Sequence, residues 1–167
     1  MSMGDDREMF VVNTQCAVVR GEQILMIVRG PGVTHSPGVL AFPGGKVETE
    51  DGPADILETT VRREVLEETG ITVSSELEYV RSVSFSMNDG TPVVDVLFTG
   101  EYVGGDPKIS DPEEIAEIRW MTADEILATD DIRPWLRGRL TSWKFSDDGG
   151  LATVHVDRRA RDEARPL

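Results

Sequence analysis

The sequence predicts an α/β fold organised on one sheet, and three observations carry that expectation. Two β-branched, apolar runs, Met9–Arg20 and Gln23–Arg29, flank Gly21-Glu22 and read as strands joined by a tight turn. A glycine-containing loop then leads into a helix that stops at Gly70. Two further β-rich runs flank Asn88-Asp89-Gly90, and Asp-Gly between such runs is a strong hairpin signal. With 167 residues, 39% hydrophobic and 29% charged, the chain has globular composition and enough length to bury one core.

Met1–Arg7 reads as a loose start. Cys16 falls inside the first strand as a small buried hydrophobe. As the single cysteine it forms no internal disulfide, which fits a reducing cytoplasm. Arg29 closes the second strand, either exposed or aimed at a phosphate. Gly30–Gly38 is a loop containing Pro31, His35 and Pro37. Leu40-Ala41-Phe42 is a brief strand, followed by Pro43-Gly44-Gly45-Lys46. Paired glycines let a backbone come close to a ligand, and Lys46 is a second candidate for a phosphate contact.

Glu48–Pro53 reads as an acidic surface loop. Asp55 stands where a carboxylate favours the N-terminal dipole of a helix beginning near Ala54 or Asp55. Leu77–Met87 and Thr91–Val103 form the hairpin strands, and Gly104–Pro112 is a loop. Glu113–Met121 enters another strand. Thr122 caps a short helix, Ala123–Ala128, with Glu125 completing a capping box. Ile132–Lys144 reads as a helix with Pro134 in its first turn. Leu151–Val156 reads as an added strand and Asp157–Leu167 as a charged, frayed tail. Neither a repeat nor a linker divides the chain, so one domain is expected, with its core at about 9–145.

The formal net charge of -14 argues against a nucleic-acid backbone or an anionic membrane as partner, since both need a basic footprint. Small phosphorylated substrates stay open where metal ions screen the site. No apolar run of about 18 residues is present, and Met1–Asp6 is too acidic for a signal peptide. His35 and His155 have no G-x-S-x-G partner and are not expected in a triad. Trp120, Phe85, Phe98 and Tyr102 read as core rather than as stacking surfaces for a base.

The chemistry concentrates in Arg63-Glu64-Val65-Leu66-Glu67-Glu68-Thr69-Gly70-Ile71. On a helix, Leu57, Val61, Glu64 and Glu68 form one stripe that begins apolar and ends as carboxylates, with Glu67 at its side. Three like charges within a turn repel, and a divalent cation with oxygen ligands relieves them; Mg²⁺ is bound in this way, commonly together with substrate phosphates.

These residues resemble the Nudix (MutT-like) hydrolase box: Gly, five residues, Glu, seven residues, Arg-Glu-aliphatic-any-Glu-Glu-any-Gly-aliphatic. Asp55, seven residues, then Arg63–Ile71 matches the second half, with Asp in place of the first Glu. Gly45 is the matching glycine, but nine residues separate it from Asp55, which places a lengthened loop at 48–54 and leaves Glu50, Asp51 or Glu58 as stand-ins. The resemblance implies an α/β/α sandwich with a mixed sheet. It also implies hydrolysis of a pyrophosphate in a nucleoside diphosphate linked to another group, such as a nucleoside triphosphate, ADP-ribose or another nucleotide sugar. Carried over by position, Glu64, Glu67 and Glu68 would hold Mg²⁺, with Mn²⁺ as an alternative, and the carbonyl of Gly44 or Gly45 would add an oxygen. Arg63 would pair with a neighbouring acid. The base would be a box glutamate or an acid before a late strand, Glu113 or Glu114, with Asp111 and Glu117 as rivals. A homodimer is compatible with the resemblance. A different class of protein, a regulatory module that senses a nucleotide without turning it over, would use the same fold; the retained glutamates speak against it.

Overall fold

The computed structural model describes residues 7–130, 132–140, 143–145 and 151–153. The expectations for Met1–Asp6, His155 and the tail 157–167 lie outside them.

Strand β1 (Val11–Arg20) turns at Gly21-Glu22 into β2 (Gln23–Arg29), with Arg20 opposite Gln23. Gly21 adopts φ +59°, the left-handed conformation that a tight turn needs. β3 (Leu40–Ala41) pairs with β2, and β4 (Gly44–Lys46) pairs antiparallel with β1. One 3-10 turn (Thr49–Asp51) then precedes helix α1 (Ile56–Thr69). β5 (Thr72–Ser86) and β6 (Pro92–Gly104) form the long hairpin around Asp89-Gly90. β7 (Ile115–Thr122) returns beside β2, and Thr122 caps α2 (Ala123–Leu127), its hydroxyl accepting from the Glu125 N–H.

The sheet is mixed. Its order is β3-β2-β1-β6-β5, with β4 added on β1 and β7 on β2, and β1 runs parallel to β6. Alternation along the central strands sends Cys16, Val18, Leu25, Val96 and Phe98 to one face, where Val61 and Val65 of α1 meet them. Ala17, Ile24, Met26 and Leu97 go to the other, under Ile126 of α2 and two residues of α3 (Pro134–Leu140), Leu136 and Leu140. A sheet covered on both faces explains why β1 and β2 read as continuous apolar runs rather than alternating ones. Phe98 belongs to this core; Tyr102 and Trp120 instead pack edge to face, with the Arg20 guanidinium 3.9 Å above the Trp120 ring. Phe85 is the exception, half-exposed on β5.

One C-terminal expectation is corrected. The helix does not run from Ile132 to Lys144: α3 ends at Leu140, and β8 (Trp143–Phe145) pairs antiparallel with β9 (Leu151–Thr153). The aromatic residues of β8 favour extended structure, and pairing overrides the helical pattern upstream.

Leu25 is fully buried between β2 and α1. Leu25→Ala is expected to destabilise the protein by about 2–5 kcal/mol, read from the midpoint of chemical denaturation.

Candidate active site

Helix α1 ends as expected. Gly70 takes φ +71° and its N–H donates to Leu66 O at 2.9 Å. Leu57 and Val61 anchor the stripe on the sheet, which carries Glu64 and Glu68 toward β4. Both glycines of β4 sit at close approaches, Gly44 to the backbone of β1 and Gly45 to the end of a side chain. A Cβ on Gly44 would collide with Thr14 O of β1, and one on Gly45 would lie 2.5 and 2.6 Å from the Glu64 carboxylate oxygens. The backbone of β4 therefore lies directly against the helix carboxylates. Gly44 N–H donates to Glu68 Oε2 at 2.9 Å, and Thr14 Oγ1 donates a long bond, 3.4 Å, to Gly45 O.

Arg63 is the hub. Its Nε and Nη2 donate to Asp51 Oδ1 and Oδ2 at 2.6 and 3.0 Å, while Nη1 donates to Glu64 Oε1 at 2.9 Å and to Glu67 Oε2 at 3.0 Å. Asp51 also accepts from Thr60 Oγ1 at 2.6 Å and Glu48 N at 3.0 Å. Its side chain is only 3% exposed. The Arg63 and Thr60 hydrogen bonds hold its carboxyl well below the usual carboxylate range, and Asp51 in turn raises the guanidinium pKa.

This corrects one reading and narrows another. Glu48–Pro53 is not simply a surface loop, since it delivers a buried carboxylate. Arg63 pairs with a neighbouring acid as expected, and among the residues open for the first acid of the box that partner is Asp51; Asp55 is exposed at the helix N-cap with φ +47° and caps nothing with its side chain. Five residues, 46–50, separate Gly45 from Asp51, so the first interval of the box is intact. The four extra residues are 52–55, between the acid and the helix.

The three glutamates share one end of α1 without converging: among the described residues no trio of His, Cys, Asp or Glu is gathered for a metal ion. Glu67 is exposed and turned to Arg63, whereas Glu68 reaches Gly44. Burial pushes Glu68 up to about 8, against the Gly44 N–H bond and the Arg29 charge that lower it; the negative charges of Glu64 and Glu114 add to the rise. Burial also raises Glu64, opposed by Arg63.

Arg29 and Glu114 are thus both near enough to act on Glu68. Arg29 Nε itself donates to His35 O at 2.9 Å. Lys46 is exposed on β4, opposite Asn13. Glu113 and Glu114 sit together before β7. Of their rivals, Asp111 shapes the turn by accepting from Glu113 N at 2.9 Å, and Glu117 is paired with Arg119.

The comparisons with known proteins agree with this architecture. Residues 9–143 match the NUDIX domain family model. The chain belongs to the Nudix family. A NAD-capped RNA hydrolase NudC of Deinococcus radiodurans is 31% identical over 134 residues, covering 78% of this chain and 40% of the relative. One from an Enterobacter species is 36% identical over 112 residues, covering 66% and 38%. This Nudix chain therefore spans about two fifths of the length of those curated relatives. The fold is similar to the MutT NUDIX hydrolase from Burkholderia pseudomallei (TM-score 0.66, 24% identity, 80% of this chain and 98% of that one). It is also similar to the MutT protein from Methanosarcina mazei (TM-score 0.64, 25% identity, 81% and 93%).

Two measurements check the site. Asp51→Asn is expected to lower kcat about 10- to 100-fold by releasing Arg63, while Asp55→Asn stays within about threefold; the reverse order would return the box acid to Asp55. In chelator-treated protein, the folded-state pKa of Glu68 lies above its ordinary value of about 4.3. Its contribution to stability is then full below about pH 4.3 and is lost as pH rises through about 8. Glu68→Gln should flatten the stability profile across that window in urea titrations.

Proposed function

We propose that this chain is a Mg²⁺-dependent pyrophosphohydrolase acting on a nucleoside diphosphate linked to another moiety. The observation that carries this reading is the pair of partly buried carboxyls, Glu64 and Glu68, pressed against the Gly44-Gly45 backbone with raised affinities for protons. Carboxyls raised by burial and set against a glycine backbone with room for further oxygen donors suit a divalent cation, so the donor set fits. Glu64, Glu67 and Glu68 would hold it, with a carbonyl of Gly44 or Gly45. Glu67 would join by rotating its exposed side chain off Arg63. When bound, the cation supplies charge neutralisation at the phosphates and acidifies a coordinated water.

The remaining work belongs to the chain. Arg63, fixed by Asp51, orients Glu64 and Glu67. Arg29, near Glu68, offers a guanidinium to a phosphate oxygen, and Lys46 a second cation at the rim. Glu114 takes the proton from the attacking water; its charge acts on Glu68, whereas Glu113 contacts Gly32. The fully buried Cys16, its thiol pushed up to about 12 by burial, takes no part and suits the cytoplasm.

The NudC relatives are named for NAD-capped RNA, and NAD contains a pyrophosphate between two nucleosides. A net charge of -14 opposes an RNA chain, so a free small nucleotide is the proposed substrate. The test is release of nucleoside monophosphate from nucleoside triphosphates, ADP-ribose, nucleotide sugars, NAD and NAD-capped RNA, with Mg²⁺ or Mn²⁺. Turnover should be faster on a free nucleotide than on capped RNA. No turnover on any substrate would replace hydrolysis with the nucleotide-sensing reading. Glu67→Gln and Glu68→Gln should each lower kcat about a hundredfold or more, and Glu114→Gln by about 10²-fold or more, with Glu113→Gln much less affected.

A further inference from the structure

Gly30 and Gly32 flank Pro31 where β2 leaves the sheet. Neither has a positive φ, so backbone conformation does not demand glycine there. Close approach does. A Cβ on Gly30 would overlap the Glu113 carbonyl oxygen and stand 2.5 Å from the Glu113 carbonyl carbon and 2.8 Å from that of Glu114. Those are backbone atoms and cannot rotate aside. A Cβ on Gly32 would meet Glu113 Cβ at 2.8 Å and the Glu113 carbonyl oxygen and Oε2 both at 3.0 Å, a milder conflict than at Gly30.

The approach makes hydrogen bonds. Gly30 N–H donates to Glu114 O at 2.6 Å and Gly32 N–H to Glu113 O at 2.8 Å. Pro31 restricts the backbone between the two donors. From the other side, Asp111 O accepts from Glu114 N at 3.1 Å and Ile115 N at 2.9 Å. A register shift completes the arrangement. Val28 pairs with Glu117 and Arg29 with Ile115, so Ala116 is an extra residue that bends the start of β7.

We propose that Gly30 and Gly32 are positioning residues that dock the Asp111–Glu114 segment on the exit of β2 and so fix Glu114 at the junction that follows Arg29. The inference rests on the role given to Glu114 above. An acid on an unattached loop must be ordered in each turnover, whereas one with its backbone tied to a strand is preorganised, and a displacement of about 1 Å can cost about 10²-fold in rate.

The test is a double-mutant cycle on the full chain with Gly30→Ala, Glu114→Gln and the pair, reading kcat, KM and the Mg²⁺ concentration for half-maximal activity. Gly30→Ala should lower kcat at least about tenfold, with KM and the Mg²⁺ midpoint within about threefold. The double variant should be no slower than Glu114→Gln alone, because a displaced base and an absent base fail alike; a merely structural loss would multiply instead. Gly32→Ala, with its milder conflict, provides the same cycle if Gly30→Ala does not fold. Full kcat in the glycine variant, or multiplying losses in the double, would overturn the proposal. An unimpaired Glu114→Gln would remove both the base assignment and this inference, while Glu68→Gln separately reports on the metal-site reading.

Discussion

The site depends on one guanidinium. Arg63 spends its planar donor fork on three carboxylates: two bonds to Asp51 and one each to Glu64 and Glu67. The bidentate half fastens the loop before α1 to the helix, and the single bonds hold two glutamates in register with it. A lysine would offer a point charge and could not set both halves at once. Because Asp51 is buried and also bonded to Thr60 and Glu48 N, the fork is fixed from behind and Arg63 cannot swing with its glutamates. The cost is a partly buried cluster with three carboxylates around one guanidinium.

A second constraint is the distance between backbones. Gly44, Gly45, Gly30 and Gly32 are small for the same reason, that a side chain would enter occupied space. Gly45 brings β4 onto Glu64, and Gly44 can then donate its N–H to Glu68. Gly30 and Gly32 bring the acidic segment before β7 onto β2. Two segments distant in sequence are thus docked by glycine contacts, one onto α1 and one onto the exit of β2. Just past the glutamates, at the C-terminal end of α1, the same device recurs, since a Cβ on Gly105 would strike Gly70 O, and Lys108 N–H caps Thr69 O at 2.8 Å.

What was legible in the sequence followed from periodicity. The strands β1 and β2, the stop at Gly70 and the stripe from Leu57 to Glu68 are local patterns with one geometric solution, and the structure contains them. Asp51 stands only among the stand-ins for Asp55 because counting backward from Arg63 assumes that the extra residues precede the acid. Counting forward from Gly45 reaches Asp51 after five residues, and that signal was present. The helix from Ile132 to Lys144 failed at its end because strand pairing at Trp143–Phe145 is non-local. Gly30-Pro31-Gly32 read only as a loop, since its partners lie more than eighty residues away.

In an acidic protein, the local field at a buried carboxyl can differ from the global one. At Glu68 two long-range charges oppose each other: Arg29 favours the carboxylate and Glu114 disfavours it. Both reach it through segments tied together by Gly30, the residue that follows Arg29 in the chain. A shift of that junction would displace the acidic segment, while Arg29 stays tied to Val39 and Gly38 through its backbone. The net charge of -14 acts mainly beyond the site, where salt screens it within about 10 Å. Inside, the balance is set by a few fixed groups: Arg63 with its three carboxylates, and Glu68 between burial, the Gly44 N–H and the charges of Arg29 and Glu114.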